Sequence, residues 1–223
     1  MKIGTIRRAL GVVSLVLPIA WMLAPVAGQA QTARAESYGV AVRTATINEK
    51  SPYAVLPADG AMAEDQAQSV SVAGLVAAQD VFAIATGAAD ATYGSSVEGT
   101  TTLGRVSILS GLITADGVVA MASSAVDEGT ASANAAGSSL ANLVVNGVSM
   151  PSNVAPNTKV SLPGVGYVVL NEQIRSASGI TVNMIHVVQQ TVSPGTCTLL
   201  GCTPDVTTTT GEIIVGSASS GVN

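Results

Sequence analysis

The chain has 223 residues, a formal net charge of −5, 10% charged residues and 3% aromatic residues. A surface that binds a nucleic-acid duplex needs clustered Lys and Arg side chains to displace counterions, whereas the few basic residues of this chain are scattered. The composition therefore argues against a nucleic-acid-binding protein, and the length predicts one domain.

Residues 1–30 have the three parts of a secretory signal peptide. Three basic residues precede an apolar stretch over 9–27, and small residues follow at Gly28 and Ala30. We predict cleavage after Ala30, which leaves a single domain over 31–223 that is secreted to the periplasm, the cell surface or the medium. A retained membrane anchor is the alternative, because the apolar stretch is just long enough to cross a bilayer. Two prolines within that stretch weaken a long helix.

From Tyr38 to Ala125, apolar and polar residues alternate between turn residues, which predicts a series of strands. Ala61–Gln68 is the one stretch whose Ala, Glu and Gln content predicts a short helix. The dipeptide Asp116-Gly117 predicts a two-residue hairpin between Leu112–Ala115 and Val118–Ala125, because both positions tolerate positive φ. Asp90, Asp116 and Asp127 fall near predicted turns, where capping is their expected role.

The last third of the chain has the clearest β pattern. Asn146-Gly147 and Pro163-Gly164 predict further hairpins. The longest alternating strand is predicted over Ile180–Thr191. Its even-numbered residues predict an inward apolar row that also includes the chain's one histidine: Ile180, Val182, Met184, His186 and Val188.

These elements predict an all-β domain, specifically a two-sheet β-sandwich of about ten strands. A β-solenoid is the alternative, although no fixed sequence period supports it. After residue 30 only five aromatic residues remain, so the core must be built from Val, Ile, Leu and Ala in thin, closely packed layers.

Cys197 and Cys202 are the only cysteines, and in an exported protein they predict a disulfide. A loop this short gains about 2 kcal/mol in the chain-entropy model, so the bond is expected to hold a local loop and its loss to be tolerated. A redox or metal pair is not indicated, because the CxxC spacing is absent.

We predict no catalytic residue, cofactor or metal site. A serine triad needs a base beside its nucleophile, and His186 is the only histidine. No G-x-S-x-G elbow is present. His186 is expected to be a packed, semi-buried side chain. A two-carboxylate glycosidase remains formally open among fourteen acidic residues, so a secreted hydrolase is retained as an alternative.

Six segments of the chain carry a family resemblance: Ser37–Gly39, Leu143–Val148, Asn157–Gly166, Leu170–Gln173, Ile180–Val187 and Glu212–Ala218. Together they resemble the bacterial choice-of-anchor P proteins, most specifically over about the last 85 residues. The resemblance implies an exported, domain-sized protein, variably fitted with surface anchors and without catalytic residues to carry over. No LPxTG-like motif or apolar tail precedes Asn223, so we expect free secretion or non-covalent retention.

The expected function is that of a non-catalytic extracellular or cell-surface structural or interaction protein, adhesive or self-assembling. Its partner is not identified by the sequence; a surface polymer or a second subunit would suit a surface rich in Ser, Thr, Ala and Gly. One variant is strand exchange through Gly211–Ser217, if that strand lies at a sheet edge. Ice or crystal binding through Thr207–Thr210 is another, although a solvated turn is the simpler interpretation of that run. An ice- or polymer-binding protein is therefore kept as an alternative function.

Overall fold

The computed structural model describes residues 33–58, 60–90, 94–198 and 201–222, so the predicted signal peptide lies outside the described residues. Within these ranges the chain forms strands and turns without a helix, and so without a helix that could cross a membrane. The strands, in chain order, are β1 Arg34–Thr44, β2 Asn48–Val55, β3 Ala63–Val72, β4 Val76–Asp90, β5 Gly94–Leu103, β6 Val106–Ile108, β7 Ile113–Ala115, β8 Gly117–Asp127, β9 Thr130–Asn134, β10 Ser139–Ala141, β11 Val144–Val145, β12 Val148–Ser149, β13 Thr158–Leu162, β14 Gly166–Arg175, β15 Gly179–Ser193, β16 Cys197–Thr198, β17 Gly201–Cys202 and β18 Val206–Gly221.

The strands form two antiparallel sheets that pack face to face, so the predicted β-sandwich is confirmed and the solenoid alternative is wrong. One sheet has six strands in the order β13-β14-β15-β18-β1-β2. The other has ten strands, with β8, β5 and β4 at its centre. The strands are more numerous than the ten expected, because short strands such as β6, β7, β11 and β12 each contribute only a few residues.

Three local predictions can be compared directly with the pairings. Asn146-Gly147 joins the paired strands β11 and β12, with φ of 49° and 76°, and Pro163-Gly164 joins β13 and β14, so both hairpins are confirmed. The prediction of a hairpin at Asp116-Gly117 is wrong. β7 pairs with β6 and β11, whereas β8 pairs with β5, β9 and β10. The Asp116 N–H donates to the Ala141 carbonyl, so the dipeptide connects two strands that do not pair.

The predicted helix over Ala61–Gln68 is also wrong. Most of that stretch lies in β3, which pairs along its length with β4 from Ala63↔Ala85 to Val72↔Val76. The side chains of Glu64, Asp65 and Gln66 are exposed. Tertiary pairing with β4 therefore overrides the modest helix preference of these residues.

At one end of the sandwich the two sheets approach closely and are joined by side-chain hydroxyl groups. Ser37 Oγ donates to the Ile84 carbonyl at 2.9 Å, and Thr101 Oγ1 donates to the Ser217 carbonyl at 2.8 Å. Ser124 and Ser220 share a hydrogen bond of 2.7 Å. These hydroxyl groups are buried yet hydrogen-bonded, so they bridge the layers without leaving unpaired polar atoms.

Candidate functional site

The alternation of inward and outward side chains in the six-stranded sheet shifts at one row of residues. The regular pairing of β14, β15, β18 and β1 omits Asn171, Met184, Gly216 and Gly39, although the register is the same on both sides. Asn171 and Gly216 have φ of 48° and 69°, as at an interruption in a strand. A Cβ on Gly216 would also lie 2.6 Å from Val118 Cγ1, so this row needs a glycine for two reasons.

This shift determines which residues of β15 face the core. Val182 and Met184 belong to the core cluster before the shift, and Ile185 and Val187 belong to it afterwards. His186 and Val188 are outside that cluster. The prediction is therefore right for Ile180, Val182 and Met184 and wrong for His186 and Val188, which lie on the outer face of the sheet.

The outer face carries a polar network that crosses β14, β15 and β18. Glu172, Asn183 and Ser217 are direct neighbours on these strands. Asn183 Nδ2 donates to Glu172 Oε2 at 2.6 Å, and Ser217 Oγ donates to Asn183 Oδ1 at 2.7 Å. His186 Nδ1 lies 3.0 Å from the same Glu172 oxygen. Tyr38 continues the row on β1, directly opposite Ser217.

In this network Glu172 and His186 each favour the charged form of the other. The hydrogen bond from His186 lowers the pKa of Glu172, with Asn183 contributing and burial opposing the effect. The hydrogen bond to Glu172 raises the pKa of His186 despite burial, and the charges of Glu172 and Glu212 add to it. Burial is the main cause of the raised pKa of Tyr38. The geometry is that of a charge-assisted pair that links neighbouring strands.

The chemistry open to His186 is restricted by its second nitrogen. The Nε2 atom has less than 1 Å² of accessible surface and no hydrogen-bond partner among the described residues. A general base must reach the proton that it removes. In this conformation Nδ1 is hydrogen-bonded to Glu172 and Nε2 is buried. This arrangement resembles a packed histidine more than the base of a triad.

We expect Glu172→Gln to destabilise the domain most between pH 4.5 and 6.5, the ordinary pKa values of Glu and His. The raised pKa of His186 stabilises the folded state below pH 6.5, and this contribution is lost as the pH rises through the folded value. The lowered pKa of Glu172 stabilises it above pH 4.5, and this contribution is lost as the pH falls through the folded value. The expected loss is about 1 to 2 kcal/mol within the window.

Urea unfolding at a series of pH values measures this effect. Glu64→Gln is the matched control, because it removes the same charge from an exposed position on β3. A loss for Glu172→Gln that is independent of pH, or equal to that of the control, would contradict the ion pair.

The second feature is an arm that extends beyond both neighbouring strands. β14 pairs with β15 only as far as Gln189, and β1 pairs with β18 only from Gly211 onward. Beyond these points β15 and β18 pair only with each other, from Gln190↔Thr209 to Ser193↔Val206, and one further bond, from the Gln190 N–H to the Val165 carbonyl, ties the base of β15 to the turn before β14. We call residues 190–210 the arm. The side chains of 191–194 and 201–210 are exposed, so the arm lies outside the sandwich core.

The tip of the arm contains the predicted disulfide, Cys197–Cys202, within the short pair β16 and β17. Internal hydrogen bonds add to it. Asp205 Oδ1 accepts from the Gly195 N–H at 2.8 Å, and Thr203 accepts from the Thr196 N–H at 2.9 Å. A two-stranded ribbon by itself is marginally stable in water. The crosslink and these bonds therefore give the arm a defined shape without support from the core.

We expect the double change Cys197→Ser and Cys202→Ser to loosen the arm and leave the sandwich folded. The bond closes a short loop far from the core, so its loss should cost the arm about 2 kcal/mol of local stability. Hydrogen exchange should accelerate in 190–193 and 206–210 while the thermal midpoint of the domain changes little. Failure of the variant to fold, or unchanged exchange in the arm, would show this assignment to be wrong.

Two predictions about the C-terminal strand are wrong. Gly211–Ser217 is not a sheet edge, because β15 and β1 flank this part of β18 on its two sides. Thr207–Thr210 is a strand and not a turn, and all four side chains are exposed. The open edge is the segment just before Gly211, where β1 has already ended.

A shallow groove of about 360 Å³ lies on the outer face of the ten-stranded sheet. Its lining combines hydroxyl side chains such as Ser96 and Ser123 with small apolar residues and Glu98, which accepts a hydrogen bond from Thr100 at 3.1 Å. In the described ranges no group of three or more His, Cys, Asp or Glu side chains is placed to hold a metal ion.

Sequence reasoning singled out His186 and both cysteines but missed Glu172, Asn183 and Ser217. The partner of His186, Glu172, could not be found because it lies on the neighbouring strand β14 and faces His186 only through the shift at Met184. The isolated Gly216 inside a strand pattern was the available signal, since such a glycine often marks an interruption. No known protein family, curated protein or solved structure matches this chain.

Proposed function

We propose that this chain is an exported, non-catalytic structural or interaction protein of the bacterial cell surface or its surroundings, of the choice-of-anchor type that its C-terminal segments resemble. The main support for this proposal is the arm. It is a rigidified, two-stranded extension whose two outer edges have no partner strand among the described residues. Unpaired strand edges are a common means of joining one chain to another.

The disulfide supports export, since such bonds persist mainly in oxidising compartments. The environment of His186 supports a non-catalytic role, because its Nδ1 is engaged by Glu172 and its Nε2 is enclosed. The sandwich then serves as a support that holds the arm away from its surface.

Replacement of the arm tests this function. Gln189 and Gly211 are direct neighbours on β15 and β18, so an Asn-Gly turn can replace residues 190–210 and close the same two strands. We expect the shortened protein to be exported and to melt like the full chain. We expect the full chain to show a large apparent mass in size-exclusion chromatography of cell-surface and culture fractions, and we expect the shortened protein to lose it.

An unchanged apparent mass would contradict the role of the arm. A hydrolytic activity of the purified chain that is lost in His186→Leu would contradict the non-catalytic assignment and support the hydrolase alternative.

Binding of a hydroxylated polymer is a second candidate, favoured by the groove around Glu98. Glycan-array binding that is retained after arm replacement and lost in Ser123→Tyr, which would fill the groove, would support it.

A further inference from the structure

We propose that the arm pairs with the arm of a second copy of this chain, edge to edge along Val206–Thr210 of β18. The two segments would run antiparallel about a two-fold axis, so that one continuous sheet crosses the dimer. This inference rests on the proposed function and names its partner.

The open edge lies on β18, just before the part of that strand that pairs with β1. β1 ends at Thr44, opposite Gly211, and β18 extends five residues further on that side, over Val206–Thr210. In a strand, alternate backbone N–H and C=O groups point to each side, so this segment presents a row of hydrogen-bonding groups toward the space beyond β1. On its other side, Val206–Thr209 is paired with β15, and Thr210 is the extra residue of a bulge.

The space beyond the end of β1, beside Val206–Thr210, is open. A groove of about 490 Å³ lies between Arg43–Ala45 and Thr209–Glu212, in line with the end of β1. The chain leaves this line through a tight turn, in which the Thr44 N–H donates to the Ile47 carbonyl. An added strand beside Val206–Thr210 would therefore enter the groove without displacing β1.

Charge favours a second copy as the occupant. The chain has a formal net charge of −5, so two copies repel each other overall. The arm has one charged side chain, Asp205, whose Oδ1 already accepts a hydrogen bond within the arm. Two arms can therefore approach each other with few like charges between them.

The segment is also complementary to itself. An antiparallel pair centred on Thr208 places Thr207 opposite Thr209 and Val206 opposite Thr210, and β-branched cross-strand pairs of this kind stabilise sheets. Val206 is 57% exposed in the single chain and would be covered. Such a two-fold contact closes on itself and gives a dimer. Five residue pairs form a small contact, so we expect an equilibrium that depends on concentration.

Substitution of Thr208 by residues of opposite charge tests the proposal. Thr208→Lys and Thr208→Asp each place like charges opposite each other at the axis, so each variant alone should raise the dimer dissociation constant about tenfold. An equimolar mixture should recover dimers that contain one copy of each. The same two substitutions at Ser161, an exposed residue of β13 at the far edge of the sheet, are the control and should change nothing.

Sedimentation equilibrium of the purified full chain, with native mass spectrometry of the mixture, measures these outcomes. Dimers that weaken in both Thr208 variants and return in their mixture would support the proposal. A monomeric wild-type protein, or dimers indifferent to Thr208, would overturn it. If the purified chain is monomeric while the exported chain has a large apparent mass that depends on the arm, the second copy is wrong as a partner and the proposed function stands.

Discussion

Val182→Asp is expected to abolish export of folded protein. Val182 has no exposed surface and packs in the core between the sheets, on the central strand β15. An aspartate there would place an unpaired charge in an apolar environment, which costs several kcal/mol of a total stability of about 5 to 15 kcal/mol. Circular dichroism and thermal melting of the refolded variant, with its amount in the exported fraction, measure the effect.

Thr181→Asp is the matched control for this substitution. Thr181 is the preceding residue of β15, and its half-buried side chain lies on the outer face opposite Ser219. A charge at that position keeps contact with water and should cost far less. Equal tolerance of the two variants would show that the assignment of faces along β15 is wrong.

Gly99→Val is expected to destabilise the domain by about 3 kcal/mol or more, because it would force the sheets apart where their backbones lie close together. A Cβ at Gly99 would lie 2.8 Å from the Glu36 carbonyl oxygen and 2.9 Å from that of Ser219. These neighbours are backbone atoms of the opposite sheet, which cannot move aside as a flexible side chain could. The midpoint of urea unfolding should therefore fall sharply.

Thr100→Val is the control, because it places the same valine side chain at the next position of β5, on the outer face, where a β-branched residue of equal size already stands. It removes only the hydrogen bond to Glu98, so a small change in the unfolding midpoint is expected. A Gly99→Val variant as stable as Thr100→Val would contradict the thin inter-sheet layer built from Ser, Thr and Gly.

The sequence predicted those features that local chemistry determines. Asn146-Gly147 and Pro163-Gly164 formed hairpins because the strands beside each turn also pair with each other. Asp116-Gly117 has equally good turn chemistry, but its flanking strands pair elsewhere. Turn residues permit a hairpin, whereas distant partners decide whether it forms.

The candidate site was less accessible to sequence reasoning for the same reason. Strict alternation assigned His186 to the core row, and only the shift at Met184 and Gly216 brings it to the face of Glu172. The arm was hidden as well. Thr207–Thr210 belongs to the same strand as Gly211–Ser217, with a bulge at Thr210, and it lacks a neighbour on one side only because β1 ends at Thr44. The ends of neighbouring strands cannot be read from the segment itself.

We propose that this chain works outside the cytoplasm as a disulfide-containing structural protein. Mass spectrometry of culture and cell fractions tests it most directly, by locating the protein, its first residue and the state of Cys197 and Cys202 without reduction. We predict a chain that begins at Gln31, lies outside the cytoplasm and resists thiol labelling at both cysteines. An intact chain from Met1 to Asn223 in the membrane or cytoplasm, with both thiols labelled, would contradict the claim.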